Sequence, residues 1–423
     1  MSRLAQAAAL ACLVGLLGLL FFWRLGDLPL AGVGEPRESV VVAEVMAHGD
    51  WILPLRNGTE IPSKPPLLHW AASAIGLASG RLDARIVRLP SALLASATVL
   101  AVVWFGARRW SAAAGLYAGF ILATSIEFLR YARLARVDMT LTACLTAAWM
   151  CLDRALASPL PPPLPLWGFY VFMGLATLAK GPLGLVLPAL AALTYLALRG
   201  ELGRWRTLRV GRGFAVALAI PLVWYLLASA VGGMAFIHKQ VLRENLLHFV
   251  DTGRVTRTRA RPIYYYVVAL AGGLAPWSVF LPLLGARLLQ LRRQAAVQPY
   301  LLPLVWCAVV LGFFTLAASK RASYLLVAYP AAAVMLGAWW SELERESDAY
   351  RAPLRWLSLA AAGLAAATAA LVLIVLFFNA VGRDALEWIR PLLHRRDQAN
   401  LPLVRTLLAE RWPMALAAAA ALA

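Results

Sequence analysis

Residues 166–198 read LWGFYVFMGLATLAKGPLGLVLPALAALTYLAL, with one charged residue, Lys180, and a Gly181-Pro182 break beside it. A helix crosses a bilayer on about 20 largely apolar residues. The stretch therefore predicts two spans, 166–179 and 182–198, with Lys180 at the mouth between them. Similar runs predict spans at 4–23, 86–106, 112–129, 138–152, 213–231, 263–285, 299–318, 323–340 and 356–379. A further run, 413–423, stops mid-span at alanines and reads as a partial, truncated helix. The expected fold is an all-α polytopic membrane protein of about 11–12 transmembrane helices, with short amphipathic helices in the first external loop. Residues 1–379 form the membrane domain, and 380–423 an external segment plus the partial last helix.

Composition supports this reading. Hydrophobic residues make up 61% of the 423 residues and charged residues 14%, with a mean hydropathy of +0.71. That leaves too little polar surface to coat a water-soluble globule of this size. The net charge of +19 would suggest nucleic acid in a soluble domain. In a membrane protein it is explained by basic loops that set orientation and by contact with anionic lipid head groups or phosphates, so nucleic acid is not an expected partner. Cys12, Cys144, Cys151 and Cys307 all lie in apolar runs without a CxxC pair, which indicates neither a disulfide framework nor a thiolate metal site.

With the N-terminus in the cytoplasm, the short loops holding Arg108-Arg109, Arg199 to Arg212 and Arg287 to Arg293 fall on the cytoplasmic side. The Pro-rich segment 158–165 reads as a stiff connector on that side. Many cations nevertheless fall on the other side, among them Lys64, Arg130, Arg133, Arg136, Lys180, Lys320 and Arg321. Basic residues resist export, so an anionic ligand is expected there. The long external loops are 24–85 and 232–262. In the first, Pro36 is a favourable first-turn residue for a helix over 35–48, and 66–77 predicts a second short helix. Gly49-Asp50 and Asn57-Gly58 mark turns between them. The tryptophans, clustered near span ends, read as interface anchors.

The first loop also carries the most chemistry: Gly34-Glu35-Pro36-Arg37-Glu38, then Gly49-Asp50-Trp51, then Lys64-Pro65-Pro66-Leu67 with Trp70. There follow Asp83-Ala84-Arg85-Ile86-Val87-Arg88-Leu89-Pro90, Arg136-Val137-Asp138, Leu178-Ala179-Lys180-Gly181, Glu244-Asn245, Pro276-Trp277 and Lys320 to Tyr324. In this order the series resembles the GT-C type glycosyltransferases that use polyprenyl-phosphate sugars, within them the bacterial aminoarabinose (lipid A) transferases and protein O-mannosyltransferases. The resemblance covers about residues 20–340.

The resemblance implies an acidic centre at the start of the first external helix, usually an Asp-Glu pair. Here the first acid is Gly34, and Glu35 aligns with the second. Glu35 is expected to accept a proton from an acceptor hydroxyl, with Arg37 beside it keeping it charged and contributing to substrate binding. The competing reading is a carboxylate that only favours the helix N-terminus. Asp138 matches a second acid of the family, its alternative being a helix-start charge with an Arg partner. Lys64 is implied as a phosphate ligand, aimed by Pro65-Pro66. Lys320 and Tyr324 match a Lys-x-x-x-Tyr segment of the same substrate site. His248 stands where relatives often have arginine, and Lys180 is read either as a substrate contact or as a snorkelling lysine. No cofactor is indicated with certainty. A divalent metal would need Glu35, Asp138 and His248 to converge, and Ser63 stands where some relatives have a glutamate.

What the resemblance implies is transfer, of the inverting type, of a sugar from a polyprenyl phosphate to lipid A, a protein or a glycan. The expected location is the periplasmic face of a bacterial inner membrane. The competing class is a transporter or lipid flippase for an anionic substrate. Internal repeats and charges deep in several spans would favour it, whereas polarity here concentrates in one external loop.

Overall fold

The computed structural model describes residues 2–30, 34–240, 244, 262–294, 296–317 and 320–344. The predicted span 356–379, the run 413–423, most of the 232–262 loop and His248 lie outside these residues. Among the described residues the structure is helical, with only an isolated antiparallel bridge between Arg56 and Glu60. In chain order the helices are α1 (Arg3–Leu17, continued by a π-turn at Gly18–Phe22), α2 (Gly34–His48), α3 (Leu67–Ser79), α4 (Ala84–Arg109), α5 (Ala112–Thr124), α6 (Ile126–Ala132) and α7 (Val137–Leu156). They continue as α8 (Pro163–Lys180), α9 (Leu183–Leu198), α10 (Val210–Phe236), α11 (Tyr265–Gly273), α12 (Leu281–Arg293), α13 (Gln298–Leu316) and α14 (Tyr329–Leu343). Five helices are long and apolar enough to cross a membrane among the described residues, or seven if each of two bent pairs is one span.

Local chemistry sets many boundaries. Asp83 caps α4 by accepting from Ile86 N–H at 2.9 Å, and Ser111 caps α5 by accepting from Ala114 N–H at 3.1 Å. Each satisfies a donor that the first helical turn leaves orphaned. The turn dipeptides behave as read: Gly49, Asn57 and Gly58 all have positive φ. Pro163 and Pro165, expected in a connector, instead lie in the first turn of α8, where a missing N–H costs nothing.

Two predicted spans are not straight. The 112–129 span breaks at Ser125 into α5 and α6, bent by 70°, and the 263–285 span breaks between Gly273 and Trp277 with a bend of 117°. The two breaks face each other. Ile126 N–H donates to the Ala275 carbonyl at 3.2 Å, and the Trp277 indole donates to Thr124 Oγ1 at 2.8 Å. Interrupted backbone in a membrane must find internal partners, and each break helps to satisfy the other. The straight helices pack through small residues. A Cβ added at Gly115 of α5 would lie 2.2 Å from the Val103 carbonyl of α4, so only glycine permits this approach. The interface-anchor reading of the tryptophans holds only in part. Trp104 and Trp205 are exposed, but Trp149, Trp224, Trp306 and Trp339 are core residues, and Trp306 Nε1 donates to Val327 O at 2.7 Å.

The first loop is packed onto the helices around it. Val41, Val42 and Val45 are buried along one face of α2. Val42 meets Ala72 of α3, Val87 of α4 and Ala135. Leu53 inserts into a cluster with Leu178 of α8 and Trp224, Ala228 and Phe236 of α10. Full burial of each such aliphatic side chain is worth about 1.5–3 kcal/mol. Backbone carbonyls in this loop are also claimed by indoles: Trp70 donates to Trp51 O at 2.6 Å and Trp224 to Ile52 O at 2.8 Å. These contacts fix the segment that carries Lys64.

Candidate active site

Glu35 opens the first turn of α2 and is 1% exposed. Its partner is Arg88 of α4. Arg88 Nε donates to Glu35 Oε1 and Nη2 to Oε2, both at 2.8 Å. The remaining guanidinium hydrogens go to the Leu25, Leu28 and Pro29 carbonyls at 2.8–3.0 Å. Glu35 Oε1 also accepts from Ala135 N–H at 2.8 Å. Arg37, expected to keep Glu35 charged, is exposed and acts on Glu60; the role belongs to Arg88. The planar fork of arginine suits a bidentate carboxylate, and here it ties the start of α2, the 25–29 segment and α4 together.

Asp138 begins α7 and is 2% exposed. Its Oδ1 accepts from Lys180 Nζ, at the end of α8, while Arg136 Nε lies 3.6 Å from Oδ2. Oδ2 itself is buried without a hydrogen-bond partner. Lys180 Nζ also sits 4.9 Å from the ring centre of Tyr324, which stacks on Phe314 at 4.8 Å. Such a cation–π contact gains strength where water is excluded. Helix ends explain the placement: a carboxylate at the first turn of α7 and an ammonium at the last turn of α8 each meet the favourable end of a helix dipole.

A second acid–base pair stands beside this cluster. Glu38, one turn into α2, lies 2.6 Å from Nε2 of His69 on α3. Burial alone would raise the Glu38 carboxyl, but the hydrogen bond from His69 and the nearby charges of Arg136 and Lys64 outweigh it and hold the group below its ordinary value. Lys64 acts electrostatically on both Glu38 and Asp138 and pairs with Glu244 at 3.5 Å. Lys64 and His69 line one small cavity with Gln240 and Trp224. At Gly34 an added Cβ would lie 1.5 Å from Arg136 Nη1. The Arg136 guanidinium thus fills the space that a side chain at position 34 would take.

Among the residues expected at the site, Asp138, Lys180 and Tyr324 are in direct contact, and Lys64 faces the same charges. Glu35 is connected to them through Ala135 and Arg136. Lys320 is elsewhere engaged, its Nζ donating to Ala317 O at 3.4 Å, and His248 lies outside the described residues. Among the described residues no three His, Cys, Asp or Glu side chains converge as a metal would need. Glu35 is engaged by Arg88 and Asp138 by Lys180, so these two acids do not fit a shared cation. Sequence reading missed Arg88, Glu38 and His69 as site-forming residues. Arg88 and Glu38 lie within quoted motifs, but only the packing of α2 on α3 and α4 reveals their partners.

Comparison with known proteins gives a consistent picture. Residues 63–225 match the family described as dolichyl-phosphate-mannose-protein mannosyltransferase. The chain is 28% identical over 345 residues to an undecaprenyl phosphate-alpha-4-amino-4-deoxy-L-arabinose arabinosyl transferase of Pseudomonas fluorescens, covering 78% of this chain and 56% of that protein. Identity to the Pseudomonas aeruginosa protein of that name is also 28%, covering 76% and 57%. The chain therefore spans little more than half the length of these curated relatives. In structure it is similar to ArnT from Cupriavidus metallidurans bound to undecaprenyl phosphate, with a TM-score of 0.76 at 24% identity over 87% of this chain and 65% of that one. It is more distantly similar to the Archaeoglobus fulgidus oligosaccharyltransferase, with a TM-score of 0.53 at 14% identity over 84% and 52%. Helical architecture, ordered motifs and these likenesses agree: the chain is an all-α, multi-pass membrane protein that resembles the ArnT glycosyltransferases in fold and in sequence.

Proposed function

We propose that the protein is a glycosyltransferase that moves a sugar from an undecaprenyl-phosphate donor to an acceptor at the periplasmic face of a bacterial inner membrane. The observation that carries this reading is the gathering of Lys64, Arg136 and Lys180 around the buried Asp138, at the end of the bundle covered by α2 and α3. Breaking a bond from sugar C1 to phosphate leaves the electron pair on a phosphate oxygen, and preorganised cations stabilise charge where it develops. The relatives named for undecaprenyl-phosphate aminoarabinose support the donor class.

In this reading Lys64 and Lys180 meet the phosphate, and Tyr324 holds Lys180 from its other side. Of the two acids expected to be catalytic, Asp138 aims Lys180 and Arg136, while Glu35 anchors the start of α2 through Arg88. Arg37 and Lys320, engaged with Glu60 and Ala317 O, are assigned to substrate contact only through the family resemblance. The acceptor class (lipid A, protein or glycan) is read from which molecule gains mass. Binding of undecaprenyl phosphate to the purified protein tests the phosphate site. Lys64→Ala removes a charge-assisted contact worth roughly 1.5–3 kcal/mol, about a ten- to hundredfold weakening. Unchanged affinity would remove Lys64 from the site.

A further inference from the structure

Resting on that reading, we propose that Glu38 and His69 form the proton-accepting pair of the transfer reaction and that the acceptor is a hydroxyl. His69 is 1% exposed, and its Nε2 is joined to Glu38 Oε2 at 2.6 Å. Its other nitrogen, Nδ1, is buried with no hydrogen-bond partner among the described residues. A buried ring nitrogen left unpaired is costly unless something is meant to meet it. The ring and Lys64 both border one small cavity, so the imidazole lies beside a proposed phosphate ligand.

Glu38 explains why Nδ1 is the reactive atom. A carboxylate accepting from Nε2–H fixes the tautomer and leaves the Nδ1 lone pair free, as the acid of a His-acid pair orients its imidazole. Location supports the same assignment. Residues 34 and 38 are one turn apart on one face of α2, and helical side chains lean back towards the N-terminus. Glu38 therefore reaches towards the space in front of Gly34, which brings no carboxylate of its own. Arg136 occupies that space and acts on Glu38 as well.

The step balances without any added reagent. The acceptor oxygen forms a bond to the donor sugar's C1 while its proton passes to His69 Nδ1. The C1–O bond to phosphate breaks, and undecaprenyl phosphate leaves with the electron pair. The imidazolium, held by Glu38, then returns its proton to water.

The test is the pH dependence of sugar transfer, measured as the mass increment that the wild-type protein adds to envelope glycoconjugates. The charged groups next to the pair are Lys64 on the preceding loop, itself paired with Glu244, and Arg136 before α7, which meets Asp138 and through it Lys180. The expected result is a wild-type rate that falls on acidification, because a protonated imidazole can no longer accept the hydroxyl proton. Glu38→Gln keeps the volume but can donate to Nε2, which moves the ring proton to Nδ1. Transfer should then drop about a hundredfold or more, with affinity for undecaprenyl phosphate retained or raised as the check on folding, because a nearby negative charge is removed. A wild-type rate that stays flat down to about pH 5 overturns the pair without recourse to any variant. So does full transfer by Glu38→Gln, or sugar found on a phosphate rather than a hydroxyl. Absence of any wild-type increment refutes the glycosyltransferase reading itself, and the pair with it.

Discussion

Glu35 and Asp138 are both buried acids at helix starts, yet their partners differ in kind. Glu35 is held by a bidentate arginine and a backbone amide, whereas Asp138 keeps one oxygen without a hydrogen bond, 3.6 Å from Arg136 Nε. Breaking a buried pair by removing one partner strands the other charge, at a cost of about 3–5 kcal/mol. Arg88→Ala should therefore lower the unfolding temperature in detergent markedly. The double variant Glu35→Gln/Arg88→Met should recover part of the loss, because no unpaired charge remains. No recovery would mean that the three carbonyl contacts of Arg88, rather than the ion pair, hold the segment. Glu38 supplies a pH effect at the same scale. Its carboxyl lies below its ordinary value, so the unfolded chain binds protons first as pH falls. Its contribution to stability is complete above the ordinary carboxylate range and is lost on acidification through the folded value. Thermal melts between pH 7 and 4 should show this loss in the wild type and less of it in Glu38→Gln. Sequence motifs made Glu35, Lys64 and Asp138 visible, because each sits in a recognisable local string. They could not show that Arg88, 53 positions from Glu35, is its partner, since that contact exists only after α2 packs on α4.

At the scale of elements, apolar run lengths located most of the described helices, and the Gly49-Asp50 turn marked the end of α2. The two bends were less legible. Pro276 disfavours helix at the residue before it and so marks the second break. The first break falls at Ser125, where the sequence has neither Pro nor Gly to announce it. Close helix approach was hidden too, because a glycine in an apolar run does not reveal its neighbour. Gly115→Leu should clash with α4 backbone, whose Val103 O and Ala107 N would lie 2.2 and 2.7 Å from the new Cβ. Over-packing typically costs about 1–3 kcal/mol, occasionally more. Gly15→Leu, whose Cβ meets nothing within 4 Å, is the control. Equal melting temperatures for the two variants would contradict the α4–α5 packing described here.

For the whole molecule, orientation and chemistry are linked: the loop holding Lys64 must face the compartment that holds donor and acceptor. Cysteines introduced at Thr59 and Thr207 should react with an impermeant thiol reagent in intact spheroplasts only at position 59, after the native cysteines are replaced. The reverse pattern would invert the topology and the mechanism together. Sugar transfer from a lipid phosphate is read out by mass spectrometry of lipid A, envelope proteins and glycans from cells with and without the gene. A discrete sugar mass on one of these acceptors should depend on the wild-type protein and be lost with Lys64→Ala. Identical acceptor masses in the two strains, with undecaprenyl-phosphate sugar present in both, would contradict it.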